Sequence, residues 1–285
     1  MKGFVKILII SACFILVGAI VGGIGFALGG RGLVIDGDWN YHFAENDGKI
    51  EKNEVLEPFS SAIINIRRGK VSVVAGSGYR IEIKSYSSAF SPTYSVKNGV
   101  LEVSSPYSGF TLDIGIFGTF NDSVVVTVPK DKLTSLSIES KAGDVNICGL
   151  TGSASGNISV RSSAGEVEIE RVHGFGELEI KSSAGQIEMN DVEVGKATVT
   201  SSAGSVDIED FAGSLDLKTS AGGVEVSLKK GVYSEDKYYV ELDASAGSVT
   251  VDGEKVKGSD RSFGRGSEYR IKIETSAGSI EFKTK

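Results

Sequence analysis

Through the second half of the chain, apolar residues occupy alternate positions in short runs that break at a small residue followed by glycine. With minor departures, the phrase apolar-x-apolar-x-Ser/Thr-x-Ala-Gly-x-Val/Ile-x-apolar recurs seven times. The copies are LSIESKAGDVNI from Leu136, ISVRSSAGEVEI from Ile158, LEIKSSAGQIEM from Leu178, ATVTSSAGSVDI from Ala197, LDLKTSAGGVEV from Leu215, VELDASAGSVTV from Val240 and IKIETSAGSIEF from Ile271. A period of two is the signature of a strand, and no copy carries the 3.6 period of an amphipathic helix. In the third copy Leu178, Ile180, Ser182 and Ala184 form an inward row, with Glu179, Lys181 and Ser183 outward. The phase then slips, because the next apolar pair is Ile187 and Met189. A slip at each Ala-Gly step predicts a corner at Gly143, Gly165, Gly185, Gly204, Gly222, Gly247 and Gly278, where glycine adopts a positive φ without steric cost.

Two short strands cannot bury one face alone, so like units are expected to stack. The expected fold is all-β: a parallel, β-helix-like solenoid, right-handed, with rungs about 4.8 Å apart. In such a stack Ser140, Ser162, Ser182, Ser201, Thr219, Ala244 and Thr275 fall in one inward row. The hydroxyls of that row are expected to bond each other or the backbone, since a buried orphan costs about 1–3 kcal/mol. Half-units such as VHGFGELEI, VEVGKATV and FAGSLDL supply a further corner per turn.

Upstream, SAIINI, KVSVVA, YRIEIKS, VLEVSS and SVVVTVP also alternate, less regularly, and residues 55–130 are expected to cap the stack or to form its broader first section. Two inserts lengthen the later spacing, residues 229–239 and 252–268. The second carries Lys255, Lys257, Arg261 and Arg265, which make it a candidate binding rim, because insertions in solenoids collect on one face. The competing reading is a pair of tolerated surface loops.

Residues 7–30 form an uncharged apolar run preceded by Lys2 and Lys6. As a helix it would reach roughly 36 Å, enough to cross a hydrocarbon core of about 30 Å. The expected organisation is a short cytoplasmic end (1–6), a transmembrane signal anchor (7–30), an acidic juxtamembrane linker (31–54) and an extracytoplasmic β-repeat domain (55–285). A cleaved signal peptide and a lipobox at Cys13 are weaker fits to so long a run. The small-xxx-small pairs Gly18/Gly22 and Gly25/Gly29 would suit self-association of the helix.

Composition narrows the chemistry. The 37 glycines against 4 prolines fit many tight corners, and a net charge of −7 argues against general affinity for nucleic acid. Two cysteines, Cys13 and Cys148, supply no disulfide framework, and two histidines, His42 and His173, no multi-His metal centre. His173 reads as a solvated turn residue. There is no Gly-x-Ser-x-Gly elbow and no phosphate loop ending in Lys-Ser or Lys-Thr. Glu168, Glu188, Asp207 and Glu225 would form an outward row that raises the question of calcium, with Arg161, Lys181 and Lys218 expected to offset it. The repeat lacks the Gly-Gly-x-Gly-x-Asp pattern of calcium β-rolls. No cofactor is expected.

The SSAGEVEI, SSAGQIEM and SSAGSVDI phrases, the lead-in FSSAIINIRRGKVSVVAGSGYRIEIKS and the junction VVVTVPKDKLTSLSIESKAG resemble a large bacterial family of β-strand repeat proteins of unknown function, often labelled adhesins. The resemblance covers about residues 55–285 and implies a β-helix-like domain of the cell envelope, commonly behind a membrane segment. It carries no catalytic motif. The expected function is a non-enzymatic surface scaffold whose partner is an envelope protein or glycan. An accessory regulator of envelope stress is the alternative, and a polysaccharide-active β-helix enzyme a distant third, since the single tryptophan, Trp39, lies outside the repeats.

Overall fold

The computed structural model describes residues 33–35, 41–43, 49–85, 90–105, 112–114, 122–256 and 261–285. Among them there is no helix, and thus none long and apolar enough to cross a membrane. The expected anchor at 7–30, its glycine pairs, Cys13 and Lys257 lie outside the described residues. The chain divides into two units. In the first, Leu33–Ile35 pairs antiparallel with Tyr41–Phe43 and with Leu112–Ile114. Residues 31–54, expected as a linker, therefore contain strands. Their last strand, Lys49–Val55, joins the 20-stranded, mostly parallel sheet of the second unit.

Each Ala-Gly phrase folds as two strands around its corner, and the copies stack as two parallel ladders. The first ladder runs from Val100–Ser104 through Ser61–Arg68, Ser135–Ala142 and Asn157–Ser162. It continues through the second halves of Val167–Ser182, Ile187–Ser201 and Val206–Ala221, then Tyr269–Ala277, then Tyr238–Ala246. The second ladder runs from Ser123–Pro129, which also pairs with Arg80–Ser85 and through it with Lys49–Val55, on through Lys70–Gly76, Val145–Cys148 and the first halves of the same three long strands. Val224–Leu228, Ile280–Lys283 and Val249–Val251 complete it.

Register puts like on like. Val71, Val145, Val167, Ile187, Val206, Val224, Ile280 and Val249 form one column, each at most 3% exposed. Branched side chains fit this arrangement because they are stiff at χ1 and pack on a pleated surface.

At the corner the seven glycines align in a single column. A Cβ on Gly165 would lie 2.5 Å from the carbonyl oxygen of Gly143, and one on Gly185 would strike that of Gly165. Gly204, Gly222, Gly278 and Gly247 continue the series. Gly185 also has φ +117°, a region closed to most side chains.

Two features go beyond the sequence reading. Of the two expectations for residues 55–130, a cap or a first section of the stack, residues 61–76 follow the second and form a full rung, with Gly69 beneath Gly143. The apolar spacing 64/66/69/71/73 repeats 138/140/143/145/147, but Ile66 and Arg68 stand where the phrase has Ser and Ala. The last two rungs, moreover, are out of chain order: Gly278 rests on Gly222, and Gly247 rests on Gly278. After Leu228 the chain passes over one rung position, lays down 238–251, returns, and inserts 269–283 beneath it. The two inserts have the length this overshoot and return require.

The inward row is buried as a column, from Ser140 at 0% exposed to Ala244 at 6%. Its hydroxyls, expected to bond each other or the backbone, divide in two. Those of Ser140, Ser182 and Thr219 donate to the corner carbonyls of Gly143, Ala184 and Ala221 at 3.1, 3.4 and 3.3 Å. Those of Ser162, Ser201 and Thr275 have no hydrogen-bond partner among the described residues. The column takes Ala244 and, in register with Ser140, the larger Ile66, so burial is what it requires and a hydroxyl is not.

Replacing Gly185 by Ala is expected to cost at least about 2 kcal/mol in denaturant unfolding, through backbone strain and the clash with the rung below. Gly223→Ala, where nothing lies within 4 Å and φ is not positive, should be near neutral. In the same assay Ser140→Ala should lose about 1 kcal/mol, while Ser201→Ala, which removes a buried orphan hydroxyl, should lose nothing.

Candidate binding groove

Beyond the second ladder, the three long strands bend at Arg171, Asp191 and Asp210, each with φ near +50°. They bend again at a further set of glycines, where the register slips between His173 and Phe175 and between Glu193 and Lys196. Here the backbones of successive rungs nearly touch: a Cβ on Gly195 would sit 2.7 Å from the carbonyl oxygen of Gly176, and one on Gly213 would strike that of Val194. No side chain can project from such positions, so the rung edge is bare backbone. Above this edge lies an open groove of about 580 Å³ lined by Gly176, Gly195, Gly213, Glu193, Tyr238 and Tyr269, with Lys229, Lys230 and Lys237 from the insert at 229–239.

The aromatic lining of the groove is a stacked pair. Tyr238 is 1% exposed and stacks on Tyr269 with ring centroids 4.9 Å apart and planes at 28°. Burial pushes the Tyr238 phenol up, against a hydrogen bond with the Gly213 backbone; the bond between Tyr269 and Glu268, with burial, raises the Tyr269 phenol. Lys229 Nζ sits 3.0 Å from Asp191 Oδ1 and 3.8 Å from Glu193 Oε2, and the bond to Asp191 raises its pKa. His173, expected as a solvated turn residue, places Nε2 3.2 Å from Asp191 Oδ2 and is half-buried. Asp191 therefore joins His173 to Lys229 behind the groove.

The described residues of the expected rim, Lys255, Arg261 and Arg265, do not line this groove. Lys255 lies in Glu254–Lys255, antiparallel to Val249–Val251. Arg261 donates to the Ala244 carbonyl at 3.1 Å, and Arg265 pairs with Asp236 at 2.8 Å. Ser262–Gly264 runs antiparallel to Tyr239, Val240 and Glu241. The second insert thus covers the terminal rung, and the first insert supplies the groove's lysines. The sequence signal for the groove was the second glycine series in VHGFGELEI, VEVGKATV and FAGSLDL.

Glu168, Glu188, Asp207, Glu225 and Glu281 do stand in register on the outer face of the second ladder. Arg161, Lys181 and Lys218, expected to offset them, lie on the first ladder instead, because the corner turns that strand to another face. There they pair with Glu179 at 3.3 and 2.5 Å and with Glu274 at 3.1 Å. The acidic row is met by Lys283, 2.5 Å from Glu225 and 3.1 Å from Glu281, and by Asn146, 2.5 Å from Glu168. Among the described residues no His, Cys, Asp and Glu group has the geometry of a metal site. Cys148 is free and half-buried, with Sγ 2.9 Å from the Arg171 guanidinium.

Two stacked parallel ladders, cornered on a glycine column and built from one repeated phrase, define an all-β repeat protein. The chain belongs to the Toastrack DUF4097 family, whose pattern matches residues 59–283. A "putative adhesin" from Bacteroides fragilis shares the fold at TM-score 0.51 and 13% identity, over 85% of this chain and 99% of its own. A "putative cell adhesion protein" from Clostridium sporogenes aligns at TM-score 0.39 and 15% identity, over 84% of this chain and 100% of its own. A "putative lipid binding protein" from Parabacteroides distasonis aligns at TM-score 0.38 and 12% identity, over 85% and 98%. No curated protein matches.

The acidic row has a pH signature. Desolvation, then the charges of Glu166, Asp207 and Glu168, push Glu188 up; desolvation, then Glu225 and Glu209, push Asp207 up. The folded state therefore takes up protons before the unfolded chain does, and stability should rise as pH falls from neutrality through these raised values. The gain is complete at ordinary carboxylate values, near about 4. Below that, Glu179, held down by Lys181, and Glu274, held down by Lys272 and Lys218, lose their pairing and stability should fall. Melting temperatures across this range should pass through a maximum on the acid side of pH 7, and Glu188→Gln should raise the pH 7 value while shrinking the acid-side rise. A steady decline from pH 7 downward would contradict this account.

Proposed function

We propose that this chain is a membrane-anchored, non-enzymatic binding scaffold of the cell envelope, which holds a rigid β-stack outside the membrane. The observation that carries the reading is that three of the four ladder ends are covered by antiparallel strands. Thr93–Lys97 runs antiparallel to Val100–Ser104 at one end of the first ladder, and Ser262–Gly264 does the same at the other. Glu254–Lys255 covers the far end of the second ladder. Antiparallel edge strands blunt the row of open hydrogen-bonding groups that would otherwise recruit further chains. A β-stack with most of its ladder ends covered and a groove beside its rungs suits presentation and binding more than polymerisation. The apolar run at residues 7–30, with Lys2 and Lys6 before it, supports the anchor and its orientation. The likeness in fold to a protein described as an adhesin agrees with this role.

In cells producing the full chain, external protease should remove the β-domain while the cells stay intact, and alkaline carbonate should leave the protein in the membrane fraction. Removing residues 1–30 should release the domain from the membrane. Protection of the domain from external protease in intact cells, or its extraction by carbonate, would refute the anchored-scaffold reading.

A further inference from the structure

The groove along the rung edge has features that select a ligand. It is lined by Gly176, Gly195 and Gly213 of three successive rungs, positions from which no side chain projects, so its floor there is backbone. Tyr269, stacked on the buried Tyr238, offers an aromatic wall to the groove. The charged lining is three lysines against one glutamate, on a chain whose net charge is −7. Lys229 is committed to Asp191 and Glu193. Lys230 and Lys237 are exposed and have no carboxylate within ion-pair distance among the described residues.

Resting on the binding-scaffold reading, we propose that this groove binds a segment of an anionic polysaccharide. The chain lies along the glycine floor, one sugar ring rests against Tyr269, and the ammonium groups of Lys230 and Lys237 hold its carboxylate or phosphodiester groups. A bare backbone floor admits a broad, hydroxylated polymer that side chains would exclude. An aromatic wall suits the apolar face of a sugar ring. Two unpaired ammonium groups on an acidic protein favour an anion at this place, and because both are exposed the attraction is screened by salt.

The full chain in detergent micelles is to be titrated calorimetrically with an oligogalacturonate, a phosphodiester-linked hexose oligomer, a neutral malto-oligosaccharide and a single-stranded oligonucleotide. The expected result is binding of at least one of the two anionic saccharides, the pair of arms separating carboxylate from phosphodiester recognition, with affinity falling as salt rises. The double variant Lys230→Gln/Lys237→Gln should weaken that binding by about tenfold or more, and Tyr269→Leu should weaken it with the salt dependence retained. Unchanged melting temperature in the double variant certifies its fold. The proposal is overturned if neither anionic saccharide binds, if the neutral sugar or the oligonucleotide binds as tightly, or if the double variant binds like the parent chain. Protease access and membrane retention do not depend on these lysines. Their persistence alongside failed saccharide binding would remove the groove proposal and leave the scaffold reading standing.

Discussion

The approach of one backbone to the next at the corner glycines governs this structure. Rungs in parallel ladders share every backbone hydrogen bond with their neighbours, so the corners must stack as closely as the strands do. Any Cβ in the column would meet a carbonyl oxygen of the rung beneath. The glycine is therefore required twice at positions such as Gly185, for its positive φ and for the space it leaves. Where the same constraint recurs at the groove edge, the same residue recurs, and the groove floor follows from it as a by-product of stacking.

The end of the stack shows how cross-rung contacts set order. Inserting 269–283 below 238–251 places Glu274 3.1 Å from Lys218 and sets Lys283 between Glu225 and Glu281. It stacks Tyr238 on Tyr269 and brings the Ser248 and Ser279 hydroxyls within 3.2 Å. The terminal rung rests on a segment made after it, so in this part of the chain folding cannot follow strict chain order. Solenoid stability is a sum of neighbour interfaces, and the last segment supplies two of them.

The two outer faces carry different electrostatics because a corner separates them. On the first ladder opposite charges alternate and pair within and between rungs, as with Lys181 and Arg161 on Glu179. On the second, the outward row is mostly carboxylate, relieved by Lys283 and Asn146. Surface pairs of this kind contribute little singly, about 0–1 kcal/mol. Their pattern fixes which face tolerates acid, and it leaves the lysines of the first insert as a local reversal of sign.

By itself the sequence determined the strands, the corner at each Ala-Gly step, the inward small-residue column and the parallel stacking, because each follows from local periodicity and from what glycine alone permits. It also carried the rung at 61–76 in its apolar spacing, hidden by Ile66 and Arg68 in place of the usual Ser and Ala. What only the tertiary structure decided was the order of the last two rungs, the covering of the terminal rung by the second insert, the face on which Arg161, Lys181 and Lys218 lie, and the groove. These depend on which rung neighbours which. Near-identical repeats make neighbouring registers almost equal in local energy, and long-range pairs such as Lys218 with Glu274 and Tyr238 with Tyr269 distinguish one order from another.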